Sequence, residues 1–535
     1  MWTKLVGVEK ALIVAGVAAW ALFSLFAAPQ FGSTDTYLFR DAAYNLLHGS
    51  GFATASFEHS HSFHALLYSS YTPLTQWLFL PFAAALHGST GAPTFYNFVI
   101  SLIAGIAVLW LLIKRMNPGG RRLFAILLLI ITLPAGYLGT EGERPEAITF
   151  LLLLILSFCL RPVNTMARIV ACGIIGGLAF LAEPMGGVLA AFLIGGAILL
   201  PLLASRTANY RRAAALSAVA AIAFLAPVVA LVLCFQHQDS RSVARFVHQA
   251  TVGGLSRAEG GPGHSYQAGD MASNSDRRDV AKEGSGKYSG ALRFFISLGP
   301  LGAGQELAAF LTALVWLALL LALRGSLAEK TSLFSLGLVL FVGVFAVFPL
   351  QGNYLILSRC LFPFLLLADW AGCRKALCNE KFIEALTILN LLLLLPGVAI
   401  MTLQRAESRG SFLQARQQVI FLSNYLAAHG AENGTALVPA TQYYLYKAKV
   451  SNLFNPGYLS SQHDMRQVVS VVNCDTATKF VKPGEMPLPD GVDASQFQLI
   501  APGGDAVAVT FFGHKLMSRN WTWTCDLYAA RAIAK

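Results

Sequence analysis

The sequence predicts an all-α polytopic membrane domain of about 11 transmembrane helices, followed by a small external α/β domain. Three observations predict it. Apolar runs, each close to the ~20 residues that cross a bilayer, recur through residues 1–402. Charged residues make up only 13% of the chain and hydrophobic ones 55%, whereas a soluble protein carries roughly a quarter charged residues. Beyond Thr402 the run of apolar segments stops, and residues 403–535 have the mixed composition of a modest globular domain.

Taken in order, the spans are expected at about 11–28, 94–113, 123–138, 147–160, 169–183, 187–204, 213–235, 306–323, 332–349, 360–373 and 384–402. The run Ala11–Ala28 is long for the core of a secretory signal, and Ala27-Ala28-Pro29 is a poor cleavage site, so it reads as a permanent span. The net charge of +11 would point to nucleic acid in a soluble protein. Here the basic residues gather in alternate loops, and no nucleic-acid partner is expected. Lys4 and Lys10 precede the first span; Lys114, Arg115, Arg121 and Arg122 lie between the second and third. Arg161 and Arg168, then Arg206, Arg211 and Arg212, then Arg324 and Lys330, then Arg374, Lys375 and Lys381 follow in loops on the same side. The positive-inside bias places that side, and the N-terminus, in the cytoplasm and the C-terminus outside.

This bookkeeping assigns one ambiguous segment. Tyr71–Leu86 is apolar enough for a short span, but counting it would turn every later basic loop outward. It is therefore expected to lie along the outer interface, with Trp77 and Phe79 as interfacial residues. The external loops are then 29–93, 139–146, 184–186, 236–305 and 350–359. In the fourth, a Gly/Ser/charged stretch, Gly260–Tyr288, is expected to be mobile without ligand.

In residues 403–535, Ser411–His429 reads as an amphipathic helix. Thr435–Pro439, Val468–Val472, Gln496–Ile500 and Ala506–Phe512 read as strands. Of eight cysteines, only Cys474 and Cys525 belong to this domain. An oxidising exterior would let them pair; the alternative is two buried thiols.

Several polar residues stand out against the apolar background. Asp35 lies just past the first span, where an ionised carboxylate is costly unless solvated, paired or used. It is placed equally well to cap a helix over Thr36–Leu47. Arg40 and Asp41 follow on that helix; as sequence neighbours they do not face each other. Arg144, between Glu143 and Glu146, offers a fork for phosphate oxygens, while the acids suit the start of the next helix. Glu146 is also a candidate contact for a sugar or a metal. Arg359 either binds a lipid phosphate or snorkels to head groups. The His59-Ser60-His61 pair, beside Glu58, has strand spacing that puts both rings on one face. That makes it a candidate for a divalent metal ion, against plain polar surface.

With these residues in place, the layout resembles the GT-C superfamily of integral-membrane glycosyltransferases, with its bacterial protein mannosyltransferase and aminoarabinose-transferase relatives. Asp35 resembles the acidic motif of that family's first external loop, followed by Tyr37, Ala43, Leu46-Leu47, Gly49 and Gly51-Phe52. Tyr71-Thr72-Pro73-Leu74 resembles its second juxtamembrane helix, and Gly142–Glu146 its second external turn. Arg359 resembles an arginine that opens the tenth span. The chain departs from the pattern in two places. Asp35 stands alone where many relatives have adjacent acids, and Glu183 falls in a turn where several carry a lysine.

The resemblance implies inverting transfer of a sugar from a polyprenyl-phosphate donor to a lipid, glycan or protein acceptor, on the external face of a bacterial inner membrane. It implies Asp35 as the base, with Tyr37, Arg40, Asp41, Arg144, Glu146, Tyr354 and Arg359 as substrate contacts. A divalent ion, with His59 and His61 as its ligands, is a further expectation. The competing expectations are an O-antigen ligase or polymerase acting on lipid-linked glycans, and a lipid or solute transporter. A transporter usually shows paired repeats and midplane polar groups, which the sequence lacks.

Overall fold

Helix α1 (Gly7–Phe26) is apolar along nearly its whole length, and its one acid has a defined task. The Glu9 carboxylate accepts the Val6 N–H at 3.0 Å, satisfying a donor of the first turn. The computed structural model describes residues 2–27, 36–47, 53–55, 66–68, 73–86, 91–115, 117–135, 145–160, 165–204 and 210–235. Towards the C-terminus it describes 385, 392, most of 402–474 and 488–504, 510–511, 514–515 and 524–533. After α1 come α2 (Thr36–Leu47), the antiparallel hairpin β1 (Ala53–Ala55) and β2 (Leu66–Tyr68), and α3 (Pro73–Ala85). The helical part continues with α4 (Gly91–Arg115), α5 (Gly120–Ala135), α6 (Pro145–Cys159), α7 (Met166–Ala182), α8 (Pro184–Ala204) and α9 (Tyr210–Phe235).

Among the described residues, three stretches are long and apolar enough to cross a membrane: Gly7–Phe26, Gly91–Lys114 and Tyr210–Leu231. On that ground the chain is a membrane protein. Met166–Ala182 and Gly186–Leu199 are shorter apolar helices. The seven spans expected before residue 236 each fall on a helix, with ends displaced by a few residues. Those expected at 306–323, 332–349 and 360–373, nearly all of 384–402, and the stretch Gly260–Tyr288 lie outside the described residues.

Besides their shared apolar core, the described helices meet through two specific devices. The first is an ion pair joining α1 to α5. Arg122 donates through Nε to Glu9 Oε1 at 2.7 Å and through Nη2 to Glu9 Oε2 at 2.6 Å. Nη2 also reaches the Lys4 carbonyl at 3.1 Å. The second is a row of small residues. Gly173 and Gly177 of α7, spaced i and i+4, lie against Ala220, Ala223, Phe224 and Pro227 of α9. A Cβ on Gly173 would stand 2.6 Å from the Ala220 carbonyl oxygen, and one on Gly177 would meet the Phe224 carbonyl oxygen. Backbone contact of this kind is how helices associate where apolar lipid removes the hydrophobic drive. Gly177→Leu is therefore expected to separate α7 from α9. Loss of a folded, monodisperse protein in detergent, with Gly195→Leu tolerated because its Cβ would meet open space, is the measurement.

Helix α3 spans 13 residues, about 20 Å, short of the ~30 Å hydrocarbon core. It does not lie loose on an interface. Pro73, Thr75, Gln76, Phe79 and Ala83 are buried, and Trp77 is exposed. The expectation for Phe79 is corrected here. Its ring is 0% exposed and packs between Tyr44 and Tyr96, at 5.9 and 5.6 Å between ring centres. An apolar segment does not reveal from its sequence which face meets protein.

The C-terminal part is α/β. Helix α10 (Arg409–Ala428) lays Ser411, Ala415, Val419, Leu422 and Leu426 inward. A five-stranded sheet follows in the order β4-β3-β5-β9-β6. Its strands are β3 (Thr435–Leu437), β4 (Leu453–Phe454), β5 (Val468–Asn473), β6 (Phe497–Ala501) and β9 (Asp526–Ala530). The short helix α11 (Tyr443–Lys447) leads from β3 to β4, and a small hairpin pairs β7 (Thr510–Phe511) with β8 (His514–Lys515). β3 runs parallel to β4 and β5, while β9 is antiparallel to β5 and β6.

Candidate functional site

Helix α2 begins at Thr36, the residue after Asp35. The helix packs against α3 and the β1–β2 hairpin, and α3 in turn packs against α4. This unit fills the chain between α1 and α4. Together with α4 it buries polar groups where apolar ones would be cheaper: Arg40, Asn45, Thr75, Gln76 and Ser101. An arginine only 7% exposed is uncommon unless its charge is answered.

The Arg40 charge reaches two phenols, Tyr44 one turn on along α2 and Tyr96 across on α4. Burial pushes the Tyr44 hydroxyl up to about 12, with the Arg40 charge opposing it, so it stays a neutral donor at physiological pH. Tyr96 also packs edge-on against Phe82 at 5.2 Å. Among the described residues, the buried hydroxyls of Thr75, Tyr96 and Ser101 have no hydrogen-bond partner. Each unmet group costs ~1–3 kcal/mol. The chemistry on offer is a guanidinium and phenols held in a buried, aromatic setting. Such donors suit an anionic oxygen or a sugar hydroxyl.

The residues singled out from the sequence are distributed as follows. Arg40 is buried on α2; Tyr37 and Asp41 belong to the same helix. Glu146 is the second residue of α6, after Pro145 at the first helical position, which proline favours. Asp35, His59, His61, Arg144, Tyr354 and Arg359 lie outside the described residues; His59 and His61 fall between β1 and β2 in sequence. Among the described residues, no group of three or more His, Cys, Asp or Glu is arranged to hold a metal ion. Glu183 is buried at the junction of α7 and α8, where its N–H closes the last turn of α7 on the Ala179 carbonyl at 2.9 Å.

Sequence reasoning missed Tyr44 and Tyr96 as companions of Arg40. The i, i+4 spacing of Arg40 and Tyr44 was the available signal. Tyr96 carried none, because it sits inside an apolar span. In the C-terminal part, Cys474 and Cys525 form a disulfide, with Cα atoms 4.6 Å apart.

A scan of protein-family models and a search of curated proteins each find no match to this chain.

Proposed function

We propose that the protein is an inverting glycosyltransferase that moves a sugar from a polyprenyl-phosphate donor to an acceptor. In this reading about 11 spans hold the chain in a bacterial inner membrane. The N-terminus is cytoplasmic, and the C-terminal domain is in the periplasm. The observation that carries the reading is the unit between α1 and α4. A folded helix starts immediately after Asp35 and carries buried Arg40 and Tyr44, with buried Tyr96 of α4 within reach of the Arg40 charge. A carboxylate base next to a short helix in sequence, and a shielded cation on that helix, are the two groups the transfer requires.

Asp35 takes the acceptor hydroxyl proton while that oxygen attacks the anomeric carbon from the face opposite the phosphate. The new C–O bond forms as the bond from the anomeric carbon to the phosphate oxygen breaks, and the polyprenyl phosphate departs with the electron pair. Arg40, Arg144 and Arg359 supply positive charge to that phosphate. Tyr37, Asp41, Glu146 and Tyr354 contact the substrates. Polar groups of this unit serve the acceptor, whether lipid, glycan or protein.

The test is turnover of polyprenyl-phosphate sugars by purified protein in lipid nanodiscs, read as release of polyprenyl phosphate. Asp35→Asn is expected to lower it by at least ~100-fold, the lower end for loss of a general base. The thermal unfolding of the variant should match the parent. Turnover within a fewfold of the parent removes Asp35 as the base.

A further inference from the structure

The outward face of α10 carries a stripe with no role in the domain core. Arg409, Leu413, Arg416 and Ile420 recur at i, i+4, i+7 and i+11, which places them along one side of the helix. Leu413 is 44% exposed, Ile420 is 50% exposed, and Arg416 is exposed between them. The opposite side, from Ser411 to Leu426, is committed to the domain interior. Arg409 and Arg416 are the only charged residues in the 20 of α10, which contains no acid.

What lies beside this stripe is given by its first residue. Arg409 donates through Nη1 to the carbonyl of Phe26, the last residue of α1, and its guanidinium stacks 5.2 Å from the Phe26 ring centre. One turn earlier, Arg405 stacks 5.0 Å from the ring of Phe23. Burial pulls the Arg405 guanidinium down to about 10, so it remains a cation at neutral pH. The start of α10 is thus fastened to the end of a helix that is long and apolar enough to cross the bilayer. Among the described residues only Glu9 and Trp20 of that helix are buried, and Leu25 and Phe26 at its end are exposed. Leu413, Arg416 and Ile420 follow Arg409 by about 6, 10 and 16 Å of helical rise, so the stripe keeps to the head groups with α10 lying along the bilayer surface. The head-group layer beyond the hydrocarbon core is ~5–8 Å thick per leaflet.

We propose that the Arg409–Leu413–Arg416–Ile420 stripe is a docking surface for anionic phospholipid head groups at the rim of α1. Positive charge without acid, alternating with aliphatic side chains, is the composition of a helix that seats on an anionic bilayer surface. The occupant is lipid because the stripe continues from a spanning helix and because its charges are of one sign.

The experiment uses the full chain with Leu413→Trp, in nanodiscs of phosphatidylcholine with or without phosphatidylglycerol. The emission added over the parent protein is quenched with brominated lipids and, separately, with acrylamide. Quenching by brominated lipid is expected, larger in the phosphatidylglycerol discs, with that increment lost in Arg409→Gln/Arg416→Gln. Quenching by acrylamide alone overturns the proposal, since the stripe then faces water. Quenching by neither also overturns it, since protein then covers the stripe. Lipid quenching indifferent to phosphatidylglycerol overturns the assignment to anionic lipid. Should Leu413→Trp not assemble, Ile420→Trp carries the same readout.

Discussion

Glu9→Ala, or Arg122→Ala, is expected to destabilise the helical part by about 3–5 kcal/mol, because each leaves the partner's charge buried and unanswered. The side chains are 1% and 2% exposed, and the pair is bidentate. Glu9 also holds the Val6 N–H, and Arg122 holds the Lys4 carbonyl, so each single substitution frees a backbone group at the entry to α1. Replacing both at once is a different experiment. Glu9→Leu with Arg122→Met removes both desolvation penalties, and such double replacements are often neutral or stabilising. Denaturation of the four proteins by SDS in mixed micelles gives the comparison. Single variants as stable as the parent would show that the charges are not buried as described.

This pair also bears on how much the sequence told. Arg122 was counted among the basic residues that orient the chain, yet its charge is neutralised by an acid 113 positions earlier. The orientation argument in that loop then leans on Lys114 and its neighbours; Lys114 itself rides 4.9 Å over the Trp110 ring. Spans were legible because length and apolarity are local properties. The helix read at 411–429 is found at Arg409–Ala428 for the same reason. Partnerships were not legible. Gly173 and Gly177 are visible as a spacing, but nothing local names Ala220 and Phe224 as what they touch.

The β9 strand escaped notice altogether. Its residues, Asp526-Leu527-Tyr528-Ala529-Ala530, include two alanines and an aspartate, all poor strand formers. It is nevertheless interior to the sheet, where pairing on both edges by β5 and β6 overrides propensity. At the candidate site, Arg40 was legible as an oddity of charge. That its charge reaches both Tyr44 and Tyr96 depends on how α2, α3 and α4 close together, which no local pattern carries.

Opening the Cys474–Cys525 bridge is expected to cost the C-terminal domain about 4 kcal/mol, the loop-closure entropy for its length in the chain-entropy model. The cysteines are 51 positions apart, and they join the end of β5 to the start of β9, two strands that are already neighbours. The bridge therefore restrains the unfolded chain more than it shapes the folded one. Folding also meets the bridge halfway. Gln418 on α10 donates to the Cys525 carbonyl at 3.0 Å and to the Pro502 carbonyl at 3.2 Å, and it accepts the Cys525 N–H at 3.1 Å. That clamp holds Cys525 whether or not its sulfur is bonded. Two consequences follow, and they can be separated. Cys474→Ala with Cys525→Ala should shift the denaturant midpoint of the domain, in the full chain, by the same amount as reducing the parent with dithiothreitol. Gln418→Ala should cost only roughly 1–2 kcal/mol for its hydrogen bonds, with the bridge still formed. A reduced protein that unfolds at the parent's midpoint would show the bridge to be incidental. A domain of this size has a net stability of only ~5–15 kcal/mol, so a loss of the expected size would leave it prone to proteolysis in a reducing compartment. The bridge thus fits the external placement proposed for residues 403–535, where oxidation keeps it closed.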